Sequence, residues 1–122
     1  MELVKSFTFD AAHYMPEMAE GHPYRRTHGH SFRVEVEVRG APTPPHGWVA
    51  DLGEIGAAAE EIKSLLDHSL LNEIEGLERP TLEALCVWIA DRMRSRAPGL
   101  ARVTVARPSV GEACTYRLSG AE

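Results

Sequence analysis

Residues 28–39 read His-Gly-His-Ser-Phe-Arg-Val-Glu-Val-Glu-Val-Arg, and the alternation of Phe32, Val34, Val36 and Val38 with Arg33, Glu35, Glu37 and Arg39 fits a strand with one apolar and one polar face. His28 and His30 continue the apolar parity, which sets two imidazoles at the rim of a core. Upstream, Phe7, Phe9, Ala11 and His13 also share one parity. Antiparallel pairing of the two strands would bring a third imidazole to the same spot. Three neutral imidazoles with a fourth position open form the pattern of a catalytic zinc site. The competing reading is of ordinary histidines, exposed or hydrogen-bonded in a core; the third His at matching parity favours the metal. His22 and His46 lie in loop-like sequence and are read as non-ligands.

The chain has 122 residues, 43% of them hydrophobic, enough for one domain over 1–122 to bury a core. No run approaches the roughly 18 apolar residues of a membrane span, and Met1 to Asp10 reads as a strand rather than a signal peptide. A net charge of −5, with 11 Arg and 2 Lys scattered along the chain, argues against a nucleic-acid footprint. An anionic small molecule stays open, because local Arg placement matters more than net charge. Cys86 and Cys114 lack framework spacing, so a reducing cytoplasm and structural burial are expected for both.

The element order reads strand, strand, helix, helix, strand, strand. The first strand covers about 3–13, the second about 28–39, and the loop between them carries Pro16, Gly21 and Pro23 and is long enough to act as a lid. Asp51 is the expected N-cap of the first helix, with Glu54 completing a capping box and Leu52, Ile55, Ala59, Ile62 and Leu66 forming one buried stripe. Thr81 is the expected N-cap of the second, with Leu82, Leu85, Ile89 and Met93 on one face and a stop near Pro98-Gly99. Strands near 101–107 and 113–118 follow, split by Pro108-Ser109-Val110-Gly111. This is an α+β domain, helices on one face of an antiparallel sheet, with open edges able to pair between subunits and close a barrel. Between the helices, Asp67 and His68 lie among aliphatic residues; taken alone, they fit a helix C-terminal His favoured by the dipole.

Several ordered motifs together resemble the 6-pyruvoyltetrahydropterin and 6-carboxytetrahydropterin synthase family over nearly the whole chain. They are Phe9-Asp10-Ala11-Ala12-His13, Glu20-Gly21-His22, His28-Gly29-His30-Ser31-Phe32, Gly47-Trp48-Val49 with Asp51, Leu66-Asp67-His68 with Leu71-Asn72, and Pro80-Thr81 with Glu83. The resemblance implies the tunnelling fold, ββααββ, a four-stranded antiparallel sheet with two helices on one face. It also implies a homohexamer of two trimers with active sites at subunit boundaries. On the same ground His13, His28 and His30 would bind Zn²⁺, Asp67 and His68 would form the acid-imidazole pair that moves protons, Thr81 would contact substrate, and the substrate would be dihydroneopterin triphosphate or a related pterin. Queuosine biosynthesis is a pathway the resemblance suggests.

Two positions depart from the family pattern. The synthases carry a proton-abstracting cysteine four residues before His-Gly-His, where this chain has Tyr24. A phenol with pKa about 10 ionises less readily than a thiol unless a metal or Arg25 and Arg26 depress it. Tyr24 or, less directly, Glu20 would have to supply the base, as neither Cys86 nor Cys114 matches the position. The family also uses a Glu after the third strand to anchor the pterin ring, where this chain aligns Arg107-Pro108. Arg is donor-only and cannot replace that carboxylate, whereas Glu112 can supply an acceptor if the turn differs; Arg107 is read as a substrate-binding residue that would instead take a carboxylate, a phosphate or an oxidised ring carbonyl of a different ligand. Two functions are therefore expected: a zinc-dependent lyase acting on a pterin side chain, or a divergent homologue that binds a pterin-like or purine-like heterocycle without the synthase reaction.

Overall fold

The alternating segment forms strand β2 (His28–Arg39), paired antiparallel with β1 (Glu2–His13) in the computed structural model, which describes residues 1–118. Their register sets Phe9 against Phe32, Ala11 against His30 and His13 against His28. The Phe9 and Phe32 rings stack with centroids 4.9 Å apart, which locks this register one rung below the histidines. Strands β3 (Leu100–Arg107) and β4 (Glu112–Arg117) complete an antiparallel sheet of order β1-β2-β3-β4. Gly99 precedes β3 with φ +84°, and a Cβ there would stand 2.6 Å from the Arg39 carbonyl oxygen, so only glycine fits the return from the helices.

Helices α1 (Leu52–Leu66) and α2 (Leu82–Met93) bury their apolar stripes on one face of this sheet. Ile55, Ala58, Ala59, Ile62 and Leu66 of α1, with Leu85, Ile89 and Met93 of α2, close over Phe32, Val34, Val36, Val103 and Val105. Each large aliphatic side chain buried this way contributes about 1.5–3 kcal/mol, so packing rather than helix propensity holds both helices. Thr81 caps α2 as expected, its Oγ1 accepting from the Ala84 N–H at 3.0 Å.

Four local expectations need correction. Leu52 is 44% exposed because the first helical residue overhangs the sheet, and Ala58 takes its place in the buried stripe. Asp51 Oδ1 accepts from the Gly53 and Glu54 N–H groups, but the Glu54 carboxylate is drawn off to Arg96, so the capping box is only half formed. Helix α2 ends at Met93, before Pro98-Gly99, because residues 94–97 turn back on the Met93 carbonyl. Cys86 is buried as expected, its Sγ donating to the Cys114 carbonyl at 3.3 Å, but Cys114 is only half-buried because β4 is an edge strand.

The opposite sheet face is polar, yet not uniformly wet. Glu37 is buried there at 3% exposure, held by Arg39 at 3.0 Å and by Arg102 at 3.1 Å. Burial raises the Glu37 pKa, and the two guanidinium groups outweigh it, holding the carboxyl below its ordinary range. Among the described residues, no helix is long and apolar enough to cross a membrane.

Candidate metal centre and adjoining cavity

The β1–β2 register brings the ring nitrogens of His13, His28 and His30 within 4.8 Å of one another. Backbone carbonyls fix two of the rings: His13 Nδ1 donates to Pro80 O at 3.1 Å and His28 Nδ1 to Arg26 O at 2.7 Å. A carbonyl only accepts, so both Nδ1 atoms carry the proton and both neutral rings present a bare Nε2 lone pair. Those two Nε2 atoms face each other at 3.0 Å. Two lone pairs at that separation repel unless a cation stands between them. Burial pushes the His13 imidazole down to about 4, against the pull of the Pro80 carbonyl. His30 is lowered as well, first by burial and then by the charge of Arg107. Nitrogen ligands of a tetrahedral zinc stand about 3.3 Å apart. The donor set, its tautomers and its spacing therefore suit a borderline-soft divalent metal.

His22 and His46 have other partners. The His22 Nδ1 accepts from the Tyr24 N–H at 3.1 Å, capping the short turn Pro23–Arg25, and His46 stacks on Trp48 at 4.2 Å. Turn and loop are anchored by Asn72, whose side chain accepts from Tyr14 N at 3.0 Å and donates to Tyr14 O at 2.9 Å.

The three imidazoles form one wall of a cavity of about 300 Å³. Tyr24, Thr81, Arg107 and Glu112 line it too, so four other residues singled out in the sequence meet the triad. The Tyr24 ring lies 6.1 Å from that of His28 and is 54% exposed. Glu83 also borders the cavity, from the first turn of α2. No role was expected for it beyond its place beside Pro80-Thr81 in the sequence. Arg107 and Glu112 are register partners at the base of the β3–β4 hairpin, with Arg107 Nη2 3.0 Å from Glu112 Oε1. Arg107 Nε is buried and has no hydrogen-bond partner, an omission that costs about 1–3 kcal/mol.

Asp67 and His68 are not brought into this cavity. His68 lies on the other side of the strand end, lining an open cleft of about 560 Å³ with Asp10, Ser31 and Ser109. His30 borders both spaces. Asp67 Oδ1 accepts from the Asp10 N–H at 2.9 Å, and its Oδ2 lies 3.0 Å from His68 Nδ1. The Asp10 N–H, then His68, hold the Asp67 carboxyl below its ordinary range although desolvation opposes them. His68 takes the left-handed φ of +58° and is pinned there by its N–H donating to Asp10 O at 2.6 Å, a conformation that costs a β-carbon-bearing residue about 1 kcal/mol or more. Its side chain is 82% exposed, so this is not a dipole-stabilised helix-end histidine folded onto α1. Glu20 is exposed and lines neither space.

A four-stranded antiparallel sheet backed by two helices, with a three-imidazole cluster at one strand end, defines a ββααββ class with a candidate metal site. Residues 2–119 match the family model for 6-pyruvoyl tetrahydropterin synthase, and the chain belongs to that family. It is 40% identical over 112 residues to a 6-carboxy-5,6,7,8-tetrahydropterin synthase of Synechocystis, covering 84% of this chain and 83% of that one. It is 35% identical over 92 residues to a dihydroneopterin monophosphate aldolase of Pyrococcus furiosus, covering 75% and 74%. The 6-pyruvoyl tetrahydropterin synthase of Caenorhabditis elegans superposes with a TM-score of 0.85 over 98% of this chain and 96% of that one. At 21% identity, that likeness establishes the fold, which is the tunnelling fold expected from the motifs.

Proposed function

We propose that the protein is a zinc-dependent lyase of the 6-pyruvoyl/6-carboxytetrahydropterin synthase type, acting on the hydroxylated side chain of dihydroneopterin triphosphate or a related pterin. The observation that carries this reading is the pair of Nε2 lone pairs converging at 3.0 Å on the wall of a ligand-sized cavity. The similar proteins include synthases and an aldolase by name, and bond cleavage on a pterin side chain is the chemistry these have in common.

His13, His28 and His30 would hold the zinc, which when bound would supply Lewis-acid polarisation of side-chain oxygens. Proton movement falls to the chain's own groups. Asp67, kept ionised by the Asp10 N–H, orients His68 through Nδ1 and leaves Nε2 to give and take a proton. Tyr24 stands where the family resemblance puts a cysteine and is the candidate for the first proton abstraction. His68 points away from its own chain's cavity, so the reaction calls for assembly, a hexamer of two trimers in which one copy's His68 completes its neighbour's site. The protein is expected to work in the cytoplasm, with the two thiols reduced.

Incubation of zinc-loaded protein with dihydroneopterin triphosphate, read by mass spectrometry for side-chain loss, pyruvoyl formation and carboxylated product, tests the proposal. Product that disappears in His68→Ala with zinc retained supports it. A second reading, a homologue that binds a heterocycle without turning it over, is favoured by Tyr24 and by the Arg107–Glu112 pair; neopterin binding with no product would select it.

A further inference from the structure

We propose that Arg107 and Glu112 act together as a reader of a lactam edge, a ring carbonyl beside a ring N–H, and that Arg107 makes the cavity reject a ring carrying an amino group in place of that carbonyl. This inference rests on the reading of the cavity as a pterin-type pocket.

The two residues face each other across the mouth of the hairpin, where the turn Pro108–Val110 and Gly111, at φ +70°, close β3 onto β4. Both line the cavity that holds the imidazole triad. Their mutual contact uses one nitrogen and one oxygen, Nη2 and Oε1 at 3.0 Å. Arg107 Nε remains buried without a partner, and the Glu112 carboxylate meets Arg107 through Oε1. The guanidinium is thus an unsaturated donor, held in place at 19% side-chain exposure, and the carboxylate beside it is an acceptor at 48%.

Arg offers only donors and an ionised Glu only acceptors. Side by side they present donor then acceptor, and a lactam edge presents the complement, acceptor then donor. A carboxylate alone would read only the N–H and amino groups of such a ring and would be indifferent to what occupies the carbonyl position. With Arg107 present, an amino group at that position sets donor against donor in a partly dry site, where an unmatched polar group is penalised more than a missing contact. The pair is therefore a specificity element, distinct from the imidazoles that face the side-chain end of the ligand. Glu83, on the same cavity, supplies a second acceptor but no donor, so it cannot make this distinction.

The test is equilibrium titration of the zinc-loaded protein, followed by pteridine fluorescence, with neopterin and with its counterpart bearing amino groups at both ring positions 2 and 4. The expected result is binding of neopterin tighter by about tenfold or more. Arg107→Gln should collapse that ratio towards one, and Glu112→Gln should weaken neopterin binding by about tenfold while zinc content stays unchanged. If Arg107→Gln does not fold, the wild-type ratio and the exposed Glu112→Gln variant decide. Equal binding of both rings by the wild type, or a ratio unchanged in Arg107→Gln, overturns the reader and leaves the pterin pocket standing. Failure of both rings to bind overturns the pocket reading and the reader with it.

Discussion

The two faces of one strand end carry opposite kinds of chemistry. On the helix-covered face, His13 is 1% exposed, its ring and that of His28 are fixed by backbone carbonyls, and the triad is assembled by pairing two strands of the same chain. On the uncovered face, one residue away in register, Asp10, Ser31, Asp67 and His68 form a hydrogen-bonded set whose outermost member is 82% exposed. The first site is assembled within one chain and offers converging lone pairs suited to a cation. The second is oriented through Asp10 and Asp67 and faces an open cleft. Its backbone strain at His68 is spent on holding a side chain outwards, which makes sense where a second copy brings the object of that side chain.

The largest expected effect breaks the covered face. His13→Ala removes the buried ligand and leaves His28 Nε2 without its neighbour, so bound zinc should be lost and turnover should fall to background; metal analysis alongside the mass-spectrometric assay checks both. Next comes the uncovered face. His68→Ala should leave zinc content unchanged while lowering turnover by about 10²–10⁴-fold, the usual contribution of a positioned acid-base group. A variant that lost zinc as well would show that the two faces are one coupled site, and one that kept full turnover would remove His68 from the reaction.

The two faces also differed in how legible they were in the sequence. Period-two alternation over 28–39 located the triad because the strand pleat makes parity equivalent to face, and a single register joined His13 to His28. Both cavity-lining ends of the β3–β4 hairpin, Arg107 and Glu112, were legible as a pair of anomalies, a donor where an acceptor was expected and an acceptor five residues on; their direct contact depended on turn geometry that no periodicity encodes. The position of Asp67 and His68 was not legible. It follows from a left-handed residue after α1 and from two long-range bonds to Asp10, neither of which leaves a local pattern. Glu83 was obscured for a related reason, since a charged residue in a first helical turn is ordinary helix chemistry until the cap's direction is known.

The smallest expected effect lies at the other end of the uncovered face, where Glu37 shows that the same surface can also bury a charge. Its partners Arg39 and Arg102 are themselves within reach of solvent, at 36% and 17% side-chain exposure, so breaking the network exposes them to hydration rather than stranding them. Glu37→Gln should therefore cost about 1–3 kcal/mol of unfolding free energy near neutral pH, less than removal of a partner from a fully buried ion pair. The native carboxyl has a pKa below its ordinary value of 4.5, so its contribution is fully present above that value and is lost as pH falls through the native pKa. Urea unfolding of the two proteins should give a constant gap above about pH 5.5 that narrows in acid. A gap that widened in acid would mean that the protonated form is the one this face stabilises, and the uncovered face would then resemble the covered one in preferring neutral groups.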